Sequence, residues 1–246
     1  MQDPYEYEIH VNPGYGKKRF SKRELGDIAI SMVVMTLAFT ILYRSYATQG
    51  FFVDNFGETG SWFVLFGLCL VLVLVSFLMH EFGHKFVAQR YGMWSEYRMY
   101  PMGLVLTLVT SFMGFLFAAP GAVYIEGAMN KERNGKISIA GPAVNIVLAL
   151  ISVAVLAVMC GDTFDYNGGN AMFMDGSEYF VFLVFSLLLS LNGFLAVFNL
   201  LPIPPLDGSK ILAWNKIVWI VAFVIAAAAL AYRFLCLPDT IFIMYR

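Results

Sequence analysis

The chain alternates long apolar runs with short polar breaks, and the runs have the length of membrane spans. A helix that crosses the hydrocarbon core of a bilayer needs about 20 mostly apolar residues. Residues 27–46, 62–86, 137–160, 179–201 and 214–235 meet that requirement and are predicted to be spanning helices. Ser21 and Glu24 stand three apart in front of the first run. They read as a capping box, in which hydroxyl and carboxylate each accept the other's backbone N–H, so the first helix is predicted to begin there.

A sixth apolar stretch, 101–125, contains Pro101, Gly103, Gly114, Pro120 and Gly121 and is rich in Val, Thr and Phe. The charges of the connecting loops bear on its nature, because Lys and Arg in short loops mark the cytoplasmic side. Lys17, Lys18, Arg19, Lys22 and Arg23 place the N-terminal segment inside, and 47–61, with no Lys or Arg, is predicted outside. Lys85, Arg90 and Arg98 are predicted inside, as are Lys131, Arg133 and Lys136. Residues 161–178 carry Asp162, Asp165, Asp175 and Glu178 without a basic residue and are predicted outside.

A single crossing by 101–125 reverses the signs expected of the next two loops. The pattern therefore predicts a re-entrant hairpin or partly inserted strands that enter and leave on the cytoplasmic side. Non-helical backbone at that depth is tolerated only when protein covers it or a wet cavity lies beside it. The alternative is a sixth ordinary span. The predicted fold class is an all-α polytopic membrane protein with five or six transmembrane helices and a re-entrant or β-hairpin segment. Residues 1–26 form a cytoplasmic segment and 27–246 a single membrane-embedded domain. Trp62, Trp94 and Trp214 fall near predicted membrane edges and read as interfacial anchors.

Composition supports the lipid bilayer as solvent and partner. The 246 residues are 59% hydrophobic and 13% charged, against about 45–50% apolar and about 25% charged in soluble domains. A net charge of −1 offers no electrostatic case for nucleic acid. Cys69, Cys160 and Cys236 include no CxxC pair, so neither a disulfide framework nor a cysteine-rich zinc site is expected. The first 26 residues are polar and lack the pattern of a cleavable signal, which makes the cell membrane the default location.

Against this background, His80-Glu81-Phe82-Gly83-His84 at the end of the second apolar run is conspicuous. Ionisable groups at membrane depth are costly and mark function. Residues four apart share a helix face, so both imidazoles can point at one spot. HExxH is the zinc metallohydrolase pattern: two imidazoles bind the metal, a third protein ligand leaves a position for water, and the glutamate moves protons. Gly83 suits either a close approach to the site or ordinary tight helix packing.

Two further stretches bear on the same chemistry. Residues 199–208 place Asp207 after Pro202, Pro204 and Pro205. Those prolines must break the preceding helix, and the break either turns the carboxylate inward or makes an ordinary Asp-Gly turn. Residues 140–145 read Ala-Gly-Pro-Ala-Val-Asn. Asn145 reads as a helix–helix hydrogen bond or, beside a metal, as a donor to an oxyanion.

Together, His80–His84, Gly141-Pro142-Ala143-Val144-Asn145 and the run from Asn199 to Gly208 resemble, in order and spacing, the site-two protease family of intramembrane zinc metalloproteases. The resemblance covers about 62–213. It implies zinc held by His80, His84 and Asp207, Glu81 as catalytic base, and Asn145 as a substrate or oxyanion contact. It further implies a three-helix catalytic core with the metal nearer the cytoplasmic face, and a transmembrane protein as substrate. The region 92–125 is less like the family. The rivals are a membrane metal transporter or sensor, which leaves Glu81 without a task, and a non-catalytic substrate-binding relative. A metalloprotease with a distant glutamate as third ligand finds only Glu126 and Glu178, in poorer surroundings than Asp207. Glu126 and Asn130 also read as groups on a water route or in a solvated loop.

Overall fold

A computed structural model describes residues 20–48, 50–161, 171–237 and 240–243. Lys17, Lys18, Arg19, Asp162 and Asp165, which the loop charges rest on, lie outside the described residues. The chain divides into two compact units, Met1–Gly141 and Pro142–Arg246.

In the first unit, α1 spans Lys22–Leu42 and starts at the predicted residue. The Ser21 hydroxyl accepts the Glu24 N–H at 3.1 Å. The other half of the expected box is diverted, because the Glu24 carboxylate turns inward to the Lys85 ammonium at 2.8 and 2.9 Å. A charged partner outbids a single backbone amide.

Most of the segment expected to be an outside loop, 47–61, is helical. Helix α2 (Arg44–Thr48) is followed by α3 (Phe51–Val73), which kinks at Gly57. Gly57 has φ 71°, a conformation that glycine adopts without a Cβ penalty. The rings of Tyr46, Phe51, Phe52 and Phe56 pack against one another around this corner, Tyr46 edge-on to Phe52 and the others tilted on it, and that aromatic cluster holds the helical start. A π-helical turn, Leu74–Leu78, leads into α4 (Met79–Arg90), so the predicted span 62–86 runs on by one turn.

Lys85 is not a loop charge. It lies in α4, fully buried, so it drops out of the tally of exposed basic residues. Arg98 is occupied as well, by Glu96 and by Asp27 at 3.7 Å.

Strand β1 (Trp94–Met99) pairs antiparallel with β2 (Gly121–Glu126), with Tyr97 opposite Val123 and Met99 opposite Gly121. Between them the region expected to be a hairpin or inserted strands begins instead as a helix, α5 (Pro101–Phe112). Pro101 sits where its missing N–H costs nothing. The 12 residues of α5 reach about 18 Å at about 1.5 Å per residue, short of the roughly 30 Å hydrocarbon core. The chain then folds back on the helix. The Thr107 hydroxyl donates to the Phe117 carbonyl at 2.9 Å, and the Phe117 N–H donates to the Thr110 hydroxyl at 3.1 Å.

Helix α6 (Lys131–Gly161) contains Pro142 and carries the division between the units. Asn130 is exposed, and its side-chain oxygen accepts the Arg133 N–H at 2.8 Å at the helix start.

The second unit continues with β3 (Ala171–Met174), α7 (Gly176–Asn199), α8 (Asp207–Trp214), α9 (Lys216–Leu235) and β4 (Thr240–Ile243), with β3 parallel to β4. Asp175 and Glu178, expected in a loop, form a complete capping box at the start of α7. Small residues let α7 and α9 approach: a Cβ on Gly193 lies 3.2 Å from Leu230, and Ala222, Ala226 and Ala229 are buried. Ala149, Leu156, Phe182, Leu189 and Ala229 belong to one apolar core. As predicted, α7 stops before the prolines, and no helix forms until Asp207.

Five helical segments among the described residues are long and apolar enough to cross a membrane: Lys22–Leu42, Phe51–Arg90, Lys131–Cys160, Gly176–Asn199 and Lys216–Leu235. They correspond to the five predicted spans.

Candidate active site

Helix α4 brings His80, Glu81 and His84 to one buried surface. The π-helical turn lies just before them. Such a turn shifts the register of the side chains after it and recurs at functional sites. The two Nε2 atoms are 3.1 Å apart. Lone pairs that close are stable only if they share a proton or a cation.

His84 Nδ1 lies 2.8 Å from the Ile137 carbonyl oxygen. A carbonyl can only accept, so this contact puts the proton on Nδ1 and leaves the Nε2 lone pair facing His80. Holding the second ring nitrogen in this way is the usual means of orienting a metal-binding imidazole.

Two glycines shape the space. A Cβ on Gly83 falls 2.7 Å from the Ala140 carbonyl oxygen, so α4 and the start of α6 meet through a glycine. A Cβ on Gly141 falls 2.6 Å from His80 Nε2 and closer still to His84 Nε2. The volume in front of the paired nitrogens is therefore open only because residue 141 has no side chain. The sequence pattern gives Gly141 no task of its own; what a Cβ would meet there supplies one.

The Glu81 carboxylate accepts the Val123 N–H of β2 at 3.0 Å. Tyr97, opposite Val123 on β1, is fully buried and donates its phenol to Ser31 at 3.0 Å. Burial pushes the Tyr97 phenol above its ordinary range, with the Glu81 charge adding to the effect and the Ser31 bond opposing it. It stays protonated as a structural donor.

In the second unit, Asp207 is buried in the first turn of α8. The turn before it is tight: a Cβ on Gly208 meets the Leu200 and Leu201 carbonyls. The Trp219 indole N–H donates to the Leu200 carbonyl at 2.7 Å, satisfying a carbonyl freed where α7 ends. Lys210 approaches an Asp207 oxygen at 3.3 Å.

Asn145 is fully buried, and its amide N–H donates to the Asn192 side-chain oxygen at 2.8 Å. Asn192 in turn donates to the Leu188 carbonyl at 2.9 Å, which fixes the orientation of both amides. The bonded arrangement is the helix–helix hydrogen bond considered for Asn145. Asn192 was missed by the sequence reading, since a lone Asn in an apolar run names no partner.

His80 and His84 in the first unit and Asp207 in the second are each buried and offer imidazole nitrogen and carboxylate oxygen as donors. The donors fit zinc, which takes imidazole nitrogen and carboxylate oxygen. Tetrahedral zinc with bonds of about 2.0–2.1 Å separates two nitrogens by about 3.3 Å, near the 3.1 Å found. Glu126, at the end of β2, is exposed, and Glu178 is spent in its capping box.

The sequence profile described as Peptidase family M50 matches residues 68–222, well over half of the chain. The chain belongs to peptidase family M50. This is the family to which the three motifs pointed. All five site residues proposed from the sequence lie inside the M50 match, and its membrane-length helices make the chain a multi-pass membrane protein.

Relatives extend the M50 match. "Putative zinc metalloprotease MJ0611" of Methanocaldococcus jannaschii is 35% identical over 203 residues, covering 82% of this chain and 89% of the relative. The YwhC protein of Bacillus subtilis, described in the same words, is 34% identical over 58% of this chain and 66% of its own length. "Zinc metalloprotease MJ0392", also of M. jannaschii, is 31% identical over 61% of this chain and 34% of its own length. No solved structure matches the chain.

Proposed function

We propose that this M50 chain is an intramembrane zinc endopeptidase that hydrolyses peptide bonds within or near the transmembrane segments of other membrane proteins. The observation that carries the proposal is the buried pair of imidazole nitrogens, 3.1 Å apart, facing space kept open by Gly141 beside a buried glutamate. The names of the relatives support zinc as the metal.

His80 and His84 would hold the ion, and Asp207 would supply the third ligand. When bound, zinc supplies Lewis acidity, polarising the scissile carbonyl and making water nucleophilic near neutral pH. Glu81 accepts the proton of the attacking water at a carboxylate oxygen and delivers it to the nitrogen of the leaving amine. An Asn145 amide N–H would donate to the oxyanion.

A helical substrate hides its carbonyls, so the scissile stretch must be extended before attack. Beyond Val123, whose N–H goes to Glu81, the outer edge of β2 is suited to hold such a strand by backbone pairing. The pairing of Met99 with Gly121 and the short α5 between them support a segment that enters and leaves on one side. The basic residues Lys22, Arg23, Arg90, Lys131, Arg133 and Lys136 support a cytoplasmic position for that side in the cell membrane.

The test uses purified protein in proteoliposomes with a reporter transmembrane substrate. Glu81→Gln is expected to abolish cleavage and keep its zinc, whereas Asp207→Asn is expected to lose both. Full cleavage by either variant overturns the role of that residue. Zinc uptake into the vesicles without proteolysis points to a transporter, and a metal-loaded protein that cleaves no peptide points to a substrate-binding relative.

A further inference from the structure

A closed ring of contacts surrounds the Glu81 carboxylate and runs through two buried charges that the proposed chemistry does not use. Glu24 and Lys85 are fully buried and paired. Every hydrogen of the Lys85 ammonium is placed: on Glu24 Oε1 at 2.8 Å, Glu24 Oε2 at 2.9 Å and the Ser95 carbonyl at 2.7 Å. The Ser95 hydroxyl donates back to the Lys85 carbonyl at 3.2 Å. The Phe20 ring lies 4.8 Å from the ammonium.

Glu24 Oε1 also accepts the Tyr97 N–H of β1 at 2.8 Å. Tyr97 is the direct partner of Val123, whose N–H goes to Glu81. The two carboxylates therefore grip the opposite outer edges of the β1–β2 ribbon at one register position. Lys85 follows Glu81 by one helical turn, which closes the ring: Glu81, Lys85, Glu24, Tyr97, Val123 and back to Glu81.

A buried ion pair is poor evidence for stability, because desolvation cancels most of its attraction. Its directional hydrogen bonds can still fix geometry when every donor is satisfied. We infer that Glu24 and Lys85 are positioning residues: they lock the β1–β2 ribbon to α4 at the height where Val123 holds the Glu81 carboxylate. The inference rests on Glu81 being the base.

The experiment compares the full-length protein with Glu24→Leu/Lys85→Met, which removes both charges together and strands neither. Assays run in proteoliposomes with the reporter substrate, well below the unfolding midpoint of each protein. The expected result is full zinc content, nearly unchanged KM and a kcat lower by about 10–100-fold, the range for groups that orient a reactive residue. In Glu24→Gln/Lys85→Met an amide oxygen remains to accept the Tyr97 N–H, and part of the lost kcat should return. If the double variants do not fold, Lys85→Arg serves instead. It keeps the charge, but its planar fork cannot reproduce the three-way arrangement, so kcat again falls at constant KM.

A folded variant with wild-type kcat overturns the inference, and so does a loss of activity that tracks loss of zinc. Glu81→Gln runs in parallel. If it is active, Glu81 is not the base and the inference falls with that assignment. If it is inactive while Glu24→Leu/Lys85→Met turns over normally, only the positioning role fails.

Discussion

Replacing Gly141 with alanine tests whether the space beside the two imidazoles belongs to the metal. A Cβ at residue 141 lies 2.6 Å from His80 Nε2, where ordinary contact begins at 3.4 Å, so the imidazole must retreat by 0.8 Å unless the backbone moves. Metal–ligand distances tolerate only about 0.2 Å of error. His84 is pinned through Nδ1 to the Ile137 carbonyl and cannot swing away without losing that bond. The expected loss in zinc affinity is at least about 10–100-fold, or about 1.4–2.7 kcal/mol. Alanine meanwhile raises helix propensity in α6 by about 1 kcal/mol over glycine. The overpacking costs about 1–3 kcal/mol, which outweighs that gain, so Gly141→Ala should melt lower than wild type without metal and lose zinc readily. Elemental analysis after purification, together with competition against a chelator of known affinity, measures the metal. Circular dichroism melting of the stripped protein measures the fold. A Gly141→Ala protein that holds zinc as tightly as wild type refutes the assignment of that space to the metal.

Stripping the wild-type protein with a membrane-permeable chelator should abolish cleavage, and stoichiometric zinc should restore it, as read by reporter cleavage. Asn192→Leu leaves the Asn145 N–H without its acceptor at a fully buried position. It should cost about 1–3 kcal/mol, most of it recovered in Asn145→Leu/Asn192→Leu, as a double-mutant cycle of unfolding free energies will test. Ser21→Ala removes the one side-chain cap at the start of α1. It should lower stability by about 1 kcal/mol, seen as a lower melting midpoint, with kcat unchanged in the folded protein.

Much of the site was legible because its chemistry is local. Two histidines one helical turn apart with a glutamate between them define a face before any folding is known, and an apolar run of about 20 residues announces a span by length alone. The break after Asn199 followed from three prolines that cannot continue a helix. Even some errors were local and avoidable. Asp175 and Glu178 carry the three-residue spacing of a capping box that was read only at Ser21.

Other features depend on partners distant in the chain. Lys85 and Arg98 count as cytoplasmic charges in a linear reading, yet Lys85 is neutralised by a glutamate 61 residues away. Asn145 finds its acceptor 47 residues on. In 101–125 the mixture of Pro, Gly, Val and Thr reads as a re-entrant hairpin or inserted strands, but the pairing of β1 with β2 takes only the last part and leaves Pro101–Phe112 free to coil.

The sequence by itself determined the spans, the breaks and the kinds of groups available for chemistry, because periodicity, proline and residue type act over a few neighbours. Only the tertiary structure decided which buried charge meets which, how the ribbon is held, and that one missing side chain at Gly141 leaves room before the imidazoles. Those outcomes depend on separations in space, and a linear string does not contain them.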